Sequence, residues 1–186
     1  REAGAEVVLV SGPVSLPTPP GVVRVDVETA RQMYEAVHAA MRGADLYVGA
    51  AAVADYEPAS AAPEKIKKNA PTLTLELVKA PDILASVAQL EPRPFVVGFA
   101  AETQNVEANA RGKLERKRLD MIAANRVGEG LAFDRDDNAL VVLWPGGREE
   151  LETCGKLELA RRLVATIAAR MAEASRPAGN VIHVRR

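Results

Sequence analysis

Cysteine is almost missing from this chain. Cys154 is the single one among 186 residues, so no intramolecular disulfide can form, which fits a reducing, cytoplasmic setting. No apolar run approaches the roughly 20 residues that a membrane helix needs, and no signal-peptide pattern opens the chain. The net charge is only −1, which leaves no global basic field for nucleic acid. Any attraction for phosphate must therefore be local. The two histidines, His38 and His183, have no partners at zinc-ligand spacing. No GxGxxG follows a strand, because Ser11-Gly12-Pro13 leads into a proline loop, and this disfavours a nicotinamide oxidoreductase. There is no GxxxxGK[ST] loop, no Tyr followed four residues later by Lys, and no Ser or Cys in a nucleophile-elbow context.

What is present is ordinary for a globular protein: 48% apolar and 26% charged residues, on a length that suits one domain with its own core. One domain over residues 1–175 and a loose tail over 176–186 are expected. Arg1 to Glu6 has the pattern of a last helical turn with Gly4 as its C-cap, so an upstream segment is expected.

Along the chain, Val7–Val10 predicts a strand buried on both faces. Ser11–Gly21, with four prolines and two glycines, predicts a loop. Val22–Val27 predicts a short edge strand. Thr29–Arg42 has helical spacing, with Thr29 as N-cap and Gly43 as stop. Leu46–Ala50 predicts a strand, Glu57–Pro71 a mobile loop, and the alternating Thr72–Val78 a half-exposed strand. Pro81–Leu90 predicts a helix with Pro in its first turn. Phe95–Phe99 and Met121–Ala124 predict strands either side of a charged helix, Asn105–Arg118. Asn138–Trp144 and Arg148–Thr153 predict a hairpin around Pro145-Gly146-Gly147, and Lys156–Ala174 an amphipathic helix. Strands alternating with helices predict an α/β fold, Rossmann-like and doubly wound, with a mostly parallel sheet.

Ligands in such sheets bind at the carboxyl ends of strands. Three ends qualify: Ala50–Asp55, Gly98–Thr103 and Asn125–Gly128. Asp55 either caps a turn or binds magnesium, a ribose hydroxyl or an amide. Lys65, Lys67 and Lys68 are either a solvated loop or a polyphosphate grip, since lysine is a compact point charge on a flexible stem. Phe99 packs on the core or on a nucleobase. Lys113 and Lys117, one turn apart on a helix that also carries Glu107 and Glu115, make either a salt-bridged surface or a triphosphate grip. Phe133–Asn138 superficially has the look of a calcium or magnesium loop. It lacks the Gly and the terminal Glu of an EF-hand, and a tight turn is the default.

Seven segments, in order, resemble the phosphopantothenoylcysteine synthetases of coenzyme A biosynthesis. They are SGPVSLPTPPGV (Ser11–Val22), AAAVADY (Ala50–Tyr56), APEKIKK (Ala62–Lys68), LVKAPDIL (Leu77–Leu84), VVGFAAET (Val96–Thr103), the Lys113/Lys117 helix and DDNAL (Asp136–Leu140). The resemblance implies a ligase. The carboxylate of 4′-phosphopantothenate attacks the α-phosphate of CTP, giving an acyl-cytidylate and pyrophosphate. The amine of L-cysteine then takes the acyl group and releases CMP. By the same resemblance Lys65 meets the charge at the α-phosphate and is the catalytic residue. Asp55 is a nucleotide-site residue and orients Mg2+. Ala51, Pro81, Asp82, Ile83, Leu84, Phe99, Lys113 and Lys117 match further nucleotide contacts. The strand around Thr72–Val78 matches a dimer contact, so a homodimer is implied. Fusion to a decarboxylase domain is implied as well, with no FMN expected in this one. The family's opening strand and Ser/Gly-rich phosphate turn have no counterpart here. A different class, a non-catalytic α/β dimerisation module left from a bifunctional enzyme, is the alternative, and nucleotide-dependent pyrophosphate release separates the two.

Overall fold

Short β-branched runs and amphipathic stretches alternate along this sequence, and they fold into thirteen described elements. The computed structural model describes residues 1–60, 62, 64–67, 71–127 and 136–175. Two compact units emerge, Arg1–Pro94 and Phe95–Arg186.

In the first unit, β1 (Val8–Ser11) and β2 (Val23–Asp26) pair in parallel, Val8 opposite Val23 through Ser11 opposite Asp26. The proline loop makes the crossover. Arg24 ties it down by donating from Nη1 to the Leu16 carbonyl at 2.8 Å. The expectation that β1 is buried on both faces fails: Val8 is 51% and Leu9 37% exposed. β-Branched composition reports strand propensity, whereas burial depends on what else packs there. Helix α1 (Ala30–Ala40) begins at a capping box. The Thr29 hydroxyl accepts from the Gln32 amide at 3.1 Å, and the Gln32 side chain accepts from the Thr29 amide at 3.1 Å, so two otherwise unpaired donors are satisfied. The chain turns at Gly43, whose φ of +80° favours glycine. Strand β3 (Leu46–Gly49) follows, and then β4 (Tyr56–Pro58) pairs antiparallel with β5 (Leu77–Lys79).

Two expectations are corrected here. The start of the expected Glu57–Pro71 loop belongs to β4, and the expected Thr72–Val78 strand shrinks to β5. Past Pro58 the ladder adds one bond, with the Ala59 amide donating to the Glu76 carbonyl at 2.9 Å. The alternation of Thr72–Val78 also finds no buried face, since every one of those residues is exposed. Helix α2 (Ile83–Val87) is shorter than the expected Pro81–Leu90. It starts where the Asp82 carboxylate caps the Ala85 amide at 3.0 Å. Val37, Ile83, Val87 and Ala88 are buried, and α1 packs against both β1 and α2.

In the second unit, β6 (Phe95–Glu102) and β7 (Met121–Arg126) pair in parallel around helix α3 (Val106–Arg116). Strands β8 (Asp137–Trp144) and β9 (Gly147–Gly155) continue the sheet antiparallel as the expected hairpin. Helix α4 (Lys156–Ala174) has the expected bounds. Val96, Val97, Met121, Ile122, Val142 and Leu143 are fully buried at the sheet's centre. Leu114 of α3 and Leu159, Leu163 and Ile167 of α4 are also buried. Burial of this kind is worth about 25 cal/mol per Å2 of apolar surface.

Candidate functional site

The first unit brings several of the implied nucleotide residues together through its backbone. The Asp55 carbonyl accepts from the Ala80 amide at 3.0 Å, which extends the β4–β5 ladder by one bond. Asp55 thereby lies beside the turn that opens Pro81–Leu84. The end of β3 reaches the same segment. A Cβ added at Gly49 would lie 3.2 Å from Leu84 Cδ1 and 3.2 Å from Tyr47 Cε1, so those side chains would have to give by a few tenths of an ångström, and glycine eases this close approach. Ala51 and Asp55 are exposed, Pro81 and Leu84 half-buried and Ile83 buried. The Asp82 carboxylate is committed to the α2 cap. Burial pushes the Tyr47 phenol above its ordinary 10.0, and the nearby Asp82 charge adds to the rise.

Lys65 and Lys67 are exposed. Lys68 lies outside the described residues, as do Gly128, Phe133–Arg135, His183 and the expected tail. Among the described residues no cluster of three or more His, Cys, Asp or Glu is arranged for a metal. A single exposed carboxylate such as Asp55 fits magnesium of the kind held chiefly by substrate phosphates, with one or two protein carboxylates.

The second unit places Phe99 on β6, half-buried and in register with Ala123. Lys113 lies in the last turn of α3. Lys117 is its C-cap, with its amide donating to the Lys113 carbonyl at 3.0 Å. Both side chains are half-buried, and cations in this last turn complement the helix dipole. The salt-bridged reading holds for part of the helix, where Arg111 meets Glu107 at 3.0 Å. Lys113 instead meets Glu102, at the carboxyl end of β6, at 3.8 Å. Sequence reasoning named the Gly98–Thr103 strand end but gave Glu102 no role. The available signal was an acidic residue between a buried strand and a lysine-bearing helix.

Strand–helix alternation with these parallel pairs defines an α/β domain, and comparison with known structures gives it a mostly parallel central sheet. One such structure is the C-terminal domain of a coenzyme A biosynthesis bifunctional protein CoaBC. It is similar at TM-score 0.76 and 34% identity, over 92% of this chain and 78% of that one. The family described as the DNA/pantothenate metabolism flavoprotein C-terminal domain matches residues 1–171. The chain belongs to that family. It is 52% identical over 178 residues to the coenzyme A biosynthesis bifunctional protein CoaBC of Escherichia coli (strain K12), covering 93% of this chain and 44% of that protein. To the protein of the same description in Vibrio cholerae serotype O1 it is 53% identical over 163 residues, 86% of this chain and 41% of that one. The chain thus spans less than half the length of these curated relatives. Among the described residues, no helix is long and apolar enough to cross a membrane.

Proposed function

We propose that this chain serves coenzyme A biosynthesis as a phosphopantothenate–cysteine ligase domain that uses CTP. Two things support the reading: membership of the family, and the Ala80–Asp55 hydrogen bond that sets the aspartate beside Pro81–Leu84. The chemistry suits the residues. A carboxylate is a poor acyl donor until it carries a nucleotide leaving group, and making that link is a matter of positioning and charge neutralisation. No side-chain nucleophile is required.

In this reading the 4′-phosphopantothenate carboxylate displaces pyrophosphate from the α-phosphate of CTP. The cysteine amine then displaces CMP. Lys65, on its exposed loop, supplies positive charge at the α-phosphate. Lys113 and Lys117 grip the outer phosphates. Ala51, the Pro81–Leu84 segment and Phe99 receive the nucleoside. Asp55 would hold a magnesium ion bound mainly by the nucleotide's own phosphates, whose contribution is to neutralise charge.

The functional unit proposed is a homodimer, and a fused decarboxylase domain belongs to the same reading, as does a cytoplasmic setting. The exposed side chains of Leu73, Leu75 and Leu77, at 65%, 62% and 52%, form an apolar segment of the kind that marks an interface. The test is to incubate the protein with CTP, magnesium, 4′-phosphopantothenate and cysteine and to measure pyrophosphate, with ATP in parallel. CTP-dependent release is expected. Silence with both nucleotides would favour a non-catalytic module.

A further inference from the structure

In the second unit the Glu102 carboxylate meets two partners among the described residues. Oε2 accepts from the Asn109 side-chain amide at 3.0 Å, and Oε1 lies 3.8 Å from Lys113 Nζ. Asn109 also donates to the Gln104 carbonyl at 3.1 Å, so the residue that holds Glu102 is itself tied to the turn after β6. Asn109 and Lys113 are one helical turn apart on α3 and both face the carboxyl end of β6. The Lys113 and Glu102 side chains are only 29% and 21% exposed, so solvent and salt screen this pair less than a surface contact. At 3.8 Å the ammonium is attracted without being bonded. Among the described residues no acceptor is hydrogen-bonded to it, which leaves its three donors for another group.

We infer that Glu102 is a positioning residue for Lys113. Its fixed negative charge holds the ammonium over the strand end before the nucleotide's phosphates arrive. A solvated lysine gives up its rotamer freedom when it grips a phosphate, whereas one already drawn to its post has lost much of that freedom beforehand. The inference rests on the ligase reading and deepens it by assigning a residue that sets nucleotide affinity.

The test is a double-mutant cycle on CTP-dependent pyrophosphate release, with Glu102→Gln, Lys113→Ala and the pair together. Glutamine keeps the shape and can still accept from Asn109, but it removes the charge. Glu102→Gln is expected to raise KM for CTP about fivefold, the scale of a partly solvated ion pair, with kcat nearly unchanged. In the Lys113→Ala background the same change is expected to add nothing. An unchanged KM, or additive effects, would overturn the inference while leaving the ligase standing. Should Glu102→Gln fail to fold, Asn109→Ala takes its place. It loosens the carboxylate without neutralising it, and must show a smaller rise with the same non-additivity. A wild-type protein that releases no pyrophosphate with CTP overturns the ligase reading, and this inference with it.

Discussion

His38 Nε2 on α1 lies 2.9 Å from Ser86 Oγ on α2. The Ser86 hydroxyl gives its one proton to the Ile83 carbonyl at 2.8 Å, so in this network the imidazole is the donor. The Tyr34 ring lies against the same imidazole, with centroids 4.2 Å apart. One hydrogen bond thus joins two helices 48 residues apart in sequence. It braces the helix that follows Pro81 and Asp82.

Ser86→Ala leaves a half-buried imidazole N–H without its acceptor. A loss of about 1–2 kcal/mol is expected, seen as a melting temperature several degrees lower. An unchanged melt would mean that water replaces the hydroxyl at no cost.

Lys65→Ala is expected to reduce CTP-dependent pyrophosphate release by about 100-fold or more, the scale of losing one charge-stabilising group. Because Lys65 is exposed, stability should stay within about 0.5 kcal/mol. Turnover equal to wild type would sink the role proposed for this lysine.

Tyr47 supplies a test in alkali. Its folded pKa is raised from 10.0 by burial first and by Asp82 second. The folded state therefore holds a proton that the unfolded chain releases, and the tyrosine's contribution is complete below pH 10.0. That contribution is lost as pH climbs from there toward the higher folded value. Tyr47→Phe removes the titration. Urea melts on both proteins on either side of that threshold should show the wild type losing more stability than the variant. Parallel losses would contradict the burial of the phenol.

Leu75→Lys tests the homodimer. Under two-fold symmetry each new charge enters the interface twice. Light scattering after size exclusion should show dimer for the wild type and monomer for the variant. The fold should persist, since Leu75 is 62% exposed. A variant that stays dimeric would place the contact elsewhere.

The sequence carried most of this fold where local rules decide it. Helix α4 has its expected bounds because an apolar stripe runs uninterrupted from Gly155. Thr29 was a legible cap because its chemistry is settled three residues away. The failures are those of context. Val8 and Leu9 have strand propensity but little cover, and Thr72–Val78 alternates without a core to alternate against. In the candidate site the motif residues could be named in advance. Their partners could not: Glu102 meets Lys113 across a strand end and a turn, and His38 meets Ser86 across most of a unit. Neither pair has a sequence period to announce it. The role of Gly49 likewise depends on Leu84, far along the chain.

The pairing of β7 with β8 and of β8 with β9 joins segments close in sequence, and α4 packs on that hairpin directly after it. Such short loop closures are entropically inexpensive and form early. In deuterium oxide the amides of Ile122, Ala123, Val142 and Leu143 should therefore be the last of their unit to exchange, released only by its global opening. Those of the three-residue β4–β5 ribbon, beside Asp55, should exchange through local fraying. The part of the chain that carries the implied nucleotide aspartate would then open and close many times within one lifetime of the sheet.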